Sequence, residues 1–388
     1  MIIFKGCEVF APESLGTKDV LVAGACVHLV ADEIETPVGW NVEVVDARGL
    51  RMLPGLIDPH VHIAGAGGEG GPASRTPEMQ LSDMLLAGVT TVIGCLGTDG
   101  MTRRLESVLM KVKALRKEGV SAWMYTGSYQ VPTPTILGDV GKDIAMIDEV
   151  IGAGEIAVSD HRSSCPTLTE LSRIAAHARV GGMLGGKAGI VNIHMGDAKN
   201  PFQPLYDVAN NSEISLKQFL PTHCNRNDYI FEDAKEYGKQ GYVDLTTSAW
   251  PFFPQYETKP SAAVTALLKA GVPLSHITMS SDGFGSLPLF DEQGNLVRLE
   301  TGSLKSMFNE MTDCVQKEGL PLETAIRTVS TNVADILKLQ NKGRIALGKD
   351  ADLVLIDHDF NIVHLVAMGA LMIRNGELLR RGAYEKRD

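Results

Sequence analysis

Apolar and polar positions fall into three regimes along the chain. The first fifty residues carry short runs rich in Val and Ile, MIIFKGCEVFAP, KDVLVAGACVHLVA and WNVEVVDARGLRMLP, broken by glycine, proline and charge. That pattern predicts short β-strands. The last fifty read alike, GRIALGKDADLVLID and FNIVHLVAMGALMIRNGELLRRG. The Asn-Gly of RNGE predicts a hairpin, because that pair accepts the positive φ of a tight turn. In between, apolar strand candidates recur: GLIDPHV, TTVIGCLG, SAWMYTGS, IAVSD, GIVNIHMG, QFLPTHCN, YVDLTTS and HITMSSD. Helix-like stretches separate them, among them RRLESVLMKVKALRKEG, TLTELSRIAAHARVGG, SAAVTALLKAG and LETAIRTVSTNVADILKL. A strand-then-helix unit repeated about eight times predicts an α/β fold, a (β/α)8 TIM-like barrel. The barrel is expected over residues 55–339. Residues 1–54 plus 340–388 are expected to form a small β-sandwich domain from both termini.

Composition narrows the function. The chain has 388 residues, 44% hydrophobic and 21% charged, enough for a large core without disulfide staples. Its six cysteines are scattered, with no CxxC pair, which reads as reduced thiols in a cytoplasmic protein. The start is too short and too interrupted for a signal peptide, and no run reaches the apolar length of a membrane span. A net charge of −11 argues against nucleic acid or an anionic membrane as partner. It leaves room for an anionic small substrate held by local arginines.

The histidines carry the chemistry. Residues i and i+2 of a strand share a face, so His60 and His62 of GLIDPHVH project side by side. Later strand candidates end at His194, at His223 and at Asp282. Active sites of (β/α)8 barrels lie at the C-terminal ends of the strands. Four imidazoles and a carboxylate converging there suit zinc or a similar divalent ion. His28, His177, His276, His358 and His364 lie away from such ends and read as structural or solvated; His161, beside IAVSD, is ambiguous.

The combination of His60-x-His62, His194, His223 and Asp282 resembles the amidohydrolase superfamily, as does the terminal segment GRIALGKDADLVLID. Within it, HVHIAGAGGEGGPASRTPE, CLGTDG, SAWMYTGSYQVP, SDHRSS, GGKAG, HMGD, LPTHCNRN and SSDGFGS resemble the isoaspartyl (β-aspartyl) dipeptidases along nearly the whole chain. The resemblance implies two zinc ions sharing a bridging hydroxide. It implies that His60, His62 and Asp282 bind one ion and that His194 and His223 bind the other. Asp282 would shuttle the proton from the attacking hydroxide to the leaving amine, and Tyr129 would polarise the carbonyl and stabilise the oxyanion. Glu69 in the loop GAGGEGGP would pair with the substrate ammonium, and Gly67 would let the backbone approach closely. Arg162 and Arg226 would clamp carboxylates, and Thr98 and Ser286 would add hydrogen bonds. The resemblance also implies a homo-oligomer.

One position departs from the pattern. The family carries a lysine seven residues before the SDHR arginine, carboxylated so as to bridge the metals; here that position is Glu155. Its stem is shorter by about three atoms on covalent counting. Glu155 could bridge two ions directly, leave a single-ion site, or point away. The leading expectation is zinc-dependent hydrolysis of β-aspartyl dipeptides with Glu155 as the bridge. The alternatives are a cyclic-amide hydrolase, of the dihydroorotase or hydantoinase kind, and a catalytically silent metal-binding scaffold.

Overall fold

In the computed structural model, which describes residues 1–291, 293 and 295–386, eight buried parallel strands follow one another through the middle of the chain. They are β1 (Leu56–Val61), β2 (Val89–Gly94), β3 (Ser121–Thr126), β4 (Val150–Val158), β5 (Ile190–Met195), β6 (Phe219–Thr222), β7 (Val243–Thr246) and β8 (Ile277–Ser280). Only Trp123 among their residues is less than fully buried, as expected when helices cover the outer face of a parallel sheet. β1 to β6 pair in order in one curled six-stranded sheet, and β7 pairs with β8. β7 packs alongside β6, where Cys224 N donates to Asp244 O at 3.2 Å. β8 packs alongside β1, where His62 N donates to Gly283 O at 2.9 Å.

The intervening helices begin and end where the sequence punctuates them. In TLTELS, Thr167 caps the helix Leu168–Gly185: its hydroxyl accepts from Glu170 N, and Glu170 reaches back to Thr167 N at 2.8 Å. The stretch LETAIRTVSTNVADILKL, expected as one helix, is two, Leu322–Val329 and Thr331–Ile336. Ser330 Oγ bonds Ile326 O and Thr331 Oγ1 bonds Gly343 O, so hydroxyls compete with the helical ladder at the break.

Both termini meet in one nine-stranded mixed sheet. Leu353–Ile356 pairs antiparallel with Arg51–Pro54, which runs directly into β1. Phe4, Val20, Met52, Leu353 and Val366 share its core. The predicted RNGE turn is present, with Asn375 and Gly376 both at positive φ (50° and 81°). A second hairpin, Ser286–Phe290 with Leu296–Thr301, rises over the C-terminal ends of the strands. Pro288 sits within this hairpin, opposite Leu299; in a two-stranded ribbon its missing N–H is tolerated.

Candidate active site

Glu155 is the hub of the C-terminal end. It sits on β4, where Ala153 pairs with Val191 and Ile156 with Ile193, so Gly154 and Glu155 together oppose Asn192. Such a bulge bends the strand and re-aims a side chain. It requires glycine at 154, since a Cβ there would lie 2.7 Å from Asn192 O. By this device a side chain shorter than the carboxylated lysine of the family pattern reaches the centre. Glu155 Oε1 lies 3.5 Å from His62 Nε2; Oε2 lies 3.4 Å from His60 Nε2, 3.2 Å from His194 Nδ1 and 3.6 Å from His223 Nε2. Asp282 Oδ1 closes the other side, 3.1 Å from His62 Nε2 and 3.6 Å from His60 Nε2. The five strand-end residues named from sequence and Glu155 are therefore brought together, all buried. No helix begins at Asp282. His223 and Asp282 hold left-handed φ values of 62° and 53°, strain of about 1–3 kcal/mol each that is typical of positions selected for chemistry.

Each imidazole turns one nitrogen to the centre and anchors the other. His60 Nδ1 meets Asn192 Oδ1 at 3.2 Å, and His223 Nδ1 meets Thr246 Oγ1 at 2.7 Å. His194 Nε2 meets Asp160 Oδ2 at 2.9 Å, and His62 Nδ1 faces Cys95 Sγ at 3.8 Å. Outer partners of this kind fix ring orientation and tautomer in metal sites. Cys95 Sγ also lies within 4.8 Å of ligand atoms of His60 and Glu155, so it belongs to the same donor group. Asp160, Asn192, Thr246 and Cys95 were not assigned from sequence. Asn192 had a signal, since it shares a strand face with His194 two residues on; Asp160 was inside the SDHR motif but unread.

Electrostatics suit a cation. Burial would push the Glu155 carboxyl up, but His60 and hydrogen bonds from His194 and His223 hold it well below the usual range. Burial drives His223 down to about 3, which keeps it a neutral ligand. His60 Nε2 and Asp282 Oδ1 are buried without any hydrogen-bond partner. Buried polar atoms are rarely left so unless a further group completes them. Two donor sets converge, His60, His62 and Glu155 with Cys95 near them, and Glu155 with His194 and His223. Nitrogen and carboxylate donors with open positions fit zinc or a similar divalent ion.

The site opens into a cavity of about 1010 Å³ lined by Tyr129, Arg162, His194, Arg226, Asp282 and Ser286, among others. Tyr129 OH lies 2.7 Å from His194 Nδ1; burial, and then the Glu155 charge, raise its pKa well above the ordinary value, so it stays a donor. Asp160 grips Arg162 through Nε and Nη2 at 3.0 and 2.9 Å and lies 3.4 Å from Arg226 Nη1. Despite burial, His194 and Arg162 hold Asp160 far below the usual carboxylate range. Glu69 Oε1 accepts from Thr98 Oγ1 at 3.0 Å and stands 3.6 Å from Arg162 Nη1, leaving Oε2 buried and unpaired. Gly67 is packed against the chain it faces, where a Cβ would meet Ser74 O at 2.4 Å. Glu69 and Thr98 thus stand beside Arg162, whose guanidinium lines the cavity.

Parallel strands with an imidazole–carboxylate centre at their C-terminal ends define a metal-dependent hydrolase, and residues 212–372 match the family model described as Amidohydrolase family. The chain is similar to the β-aspartyl dipeptidase of Fervidobacterium islandicum AW-1, solved in complex with a β-Asp-Leu dipeptide, at 45% identity and a TM-score of 0.91 over 98% of each chain. It also matches a dihydroorotase of Desulforapulum autotrophicum, at 24% identity over 92% of this chain and 90% of that one. An allantoinase of Escherichia coli K12 matches at 25% identity over 93% and 87%. The chain belongs to the β-aspartyl dipeptidases of the amidohydrolase family.

Proposed function

We propose that this protein hydrolyses β-aspartyl dipeptides at a two-zinc centre in which Glu155 replaces the carboxylated lysine as the bridge. The eight parallel strands are read as one closed (β/α)8 barrel over 55–339, and residues 1–54 plus 340–388 as a β-sandwich domain. The observation that carries the reading is one histidine shared by the metal centre and both carboxylate clamps. His194 Nδ1 faces Glu155, while Arg162 Nη2 and Arg226 Nη1 each lie 3.2 Å from its Nε2. A peptide bond held at the centre then has its flanking carboxylates beside planar guanidinium forks.

His60, His62 and Asp282 would hold one ion, His194 and His223 the other, with Glu155 touching both. Such ions lower the pKa of bound water and polarise a carbonyl. Asp282 takes the proton of the attacking water and delivers it to the departing amine nitrogen as the C–N bond breaks. The Tyr129 phenol donates to the carbonyl oxygen as charge develops. Arg162 and Arg226 bind the α-carboxylate and the C-terminal carboxylate, and Glu69 Oε2 receives the ammonium. Thr98 orients Glu69, and Ser286 adds a hydrogen bond from the cavity wall. A cytoplasmic homo-oligomer is the expected setting.

The test is hydrolysis of β-Asp-Leu against α-Asp-Leu with zinc saturating. Turnover of the β isomer alone is expected. Turnover of dihydroorotate or a hydantoin instead would place the chain with the cyclic-amide hydrolases. Zinc binding with no turnover would make it a silent scaffold. Glu69→Gln should cripple dipeptide turnover, and survival of that turnover would remove the amine pocket from the account.

A further inference from the structure

A β-aspartyl dipeptide of an apolar residue presents one ammonium and two carboxylates. Glu69 and the two arginines already answer all three. Among the ionisable groups of the cavity wall, Glu257 has a carboxylate oxygen that is buried and without a hydrogen bond.

Glu257 stands between β7 and the helix Pro260–Lys269, in a braced turn. Its N–H donates to Phe253 O at 3.2 Å, and Thr258 N donates to Asn225 O at 2.9 Å. The Asn225 amide donates to Thr246 O and Thr258 O, both at 3.0 Å, and its Oδ1 accepts from Thr246 N at 2.8 Å. The turn is thereby tied to the residue next to Arg226. Glu257 Oε2 is buried and has no hydrogen-bond partner, and no ion pair reaches Glu257 among the described residues. The nearby cations are engaged elsewhere: Arg226 with Asp160, Lys259 with Glu310 and Asp313, Arg298 with Glu300. Burial pushes the Glu257 carboxyl up to about 8, with Arg226 opposing. A buried carboxyl in this state gains most from an incoming positive charge.

Arg226 and Asp282 act on it from the metal side, and the other part of the wall it shares is apolar. Ala249, Phe253 and Leu287 form a buried cluster with Leu289 packed on it, joining the segment after β7 to the hairpin above the site. An apolar wall beside an unpaired buried carboxyl suits a side chain with a methylene stem and a cationic end.

We infer that Glu257 selects the leaving amino acid, and that the cavity accepts β-aspartyl dipeptides whose C-terminal residue is basic, lysine or arginine. This rests on the β-aspartyl reading given above. Two unpaired buried carboxylate oxygens, on Glu69 and Glu257, then meet two substrate cations.

The test compares kcat/KM for β-Asp-Lys, β-Asp-norleucine and β-Asp-Leu in the zinc-loaded full chain, as wild type, Glu257→Gln and Glu257→Leu. Norleucine keeps the lysine stem without the charge. The wild-type ratio of Lys to norleucine should be about tenfold or more, the usual return on a charged hydrogen bond. It should fall to near one in Glu257→Gln and invert in Glu257→Leu. A wild-type ratio near one, with β-Asp-Leu still hydrolysed, overturns this inference and leaves the β-aspartyl reading standing. An equal loss on all three substrates in Glu257→Gln, at an unchanged ratio, also overturns it, because Glu257 would then serve the shared ammonium. No turnover of any of the three overturns the parent reading and this one with it.

Discussion

A buried charge cluster stands at each end of the parallel strands, and the two obey opposite rules. At the N-terminal end, where the nine-stranded sheet meets β3, Lys342 Nζ bonds Ser121 Oγ at 2.5 Å and Asp352 Oδ2 at 2.6 Å, with Asp350 at 2.8 Å. Asp352 Oδ1 accepts from Met368 N at 2.8 Å. Every charge in that cluster is answered by protein. At the C-terminal end, Glu155 and Asp282 face four imidazoles across 3.1–3.6 Å, and in these contacts His60 Nε2 and Asp282 Oδ1 make no hydrogen bond. Lys342 and Asp352 are as buried as the C-terminal cluster, so burial alone does not separate a structural ion network from a site. The buried atoms left without a hydrogen bond do. A closed network fixes the fold; an open one holds a place for something that binds.

The comparison can be broken by mutation from either end. Asp282→Asn should lower kcat about 1000-fold, as expected for a lost general acid–base group, while leaving the thermal midpoint of the metal-free protein unchanged or higher. A matching fall in stability would mean that the C-terminal cluster is structural after all. Lys342→Met should do the reverse. It strands the buried carboxylate of Asp352 and the half-buried one of Asp350 and should cost about 3 kcal/mol in denaturant unfolding, with kcat per folded molecule intact. Asp160→Asn tests an outer partner. It loosens His194 and both arginines together, and zinc affinity or activity should fall about 10- to 100-fold.

The smallest effect concerns pH. Glu257 has a folded value of about 8 against an ordinary 4.5. The folded chain therefore holds a proton that the unfolded chain has released between those values. The stability it contributes is full below 4.5 and is lost as pH rises through 8. Measured against Glu257→Gln, wild type should lose relative thermal stability from pH 5 to pH 9, by roughly one to a few degrees. A pH-independent difference would mean that Glu257 is ionised throughout.

Residues that end an apolar run were legible from the run itself, whereas the loop residues Tyr129, Arg162, Arg226 and Glu69 were reached only through the family resemblance. His60, His62, His194, His223 and Asp282 could be read because each ends an apolar run, and a strand end fixes position to within a residue. Glu155 could be placed by its distance from Arg162, but its aim depends on a bulge that no periodicity reveals. Thr246 acts on His223 and Asp160 on His194 and Arg226, partners far away in sequence whose spacing carries no message. Glu257 lies in an irregular turn, and only the fold shows that its carboxyl is buried and unpaired. The same limit explains the helix divided at Ser330.

The most direct test of the account is zinc stoichiometry, measured alongside β-Asp-Leu turnover as metal is restored to the stripped protein, for wild type and Glu155→Gln. The account predicts that wild-type activity saturates at two zinc ions per chain, and that Glu155→Gln retains at most one and loses turnover. Full activity in Glu155→Gln, or wild-type activity that saturates without zinc, would contradict it.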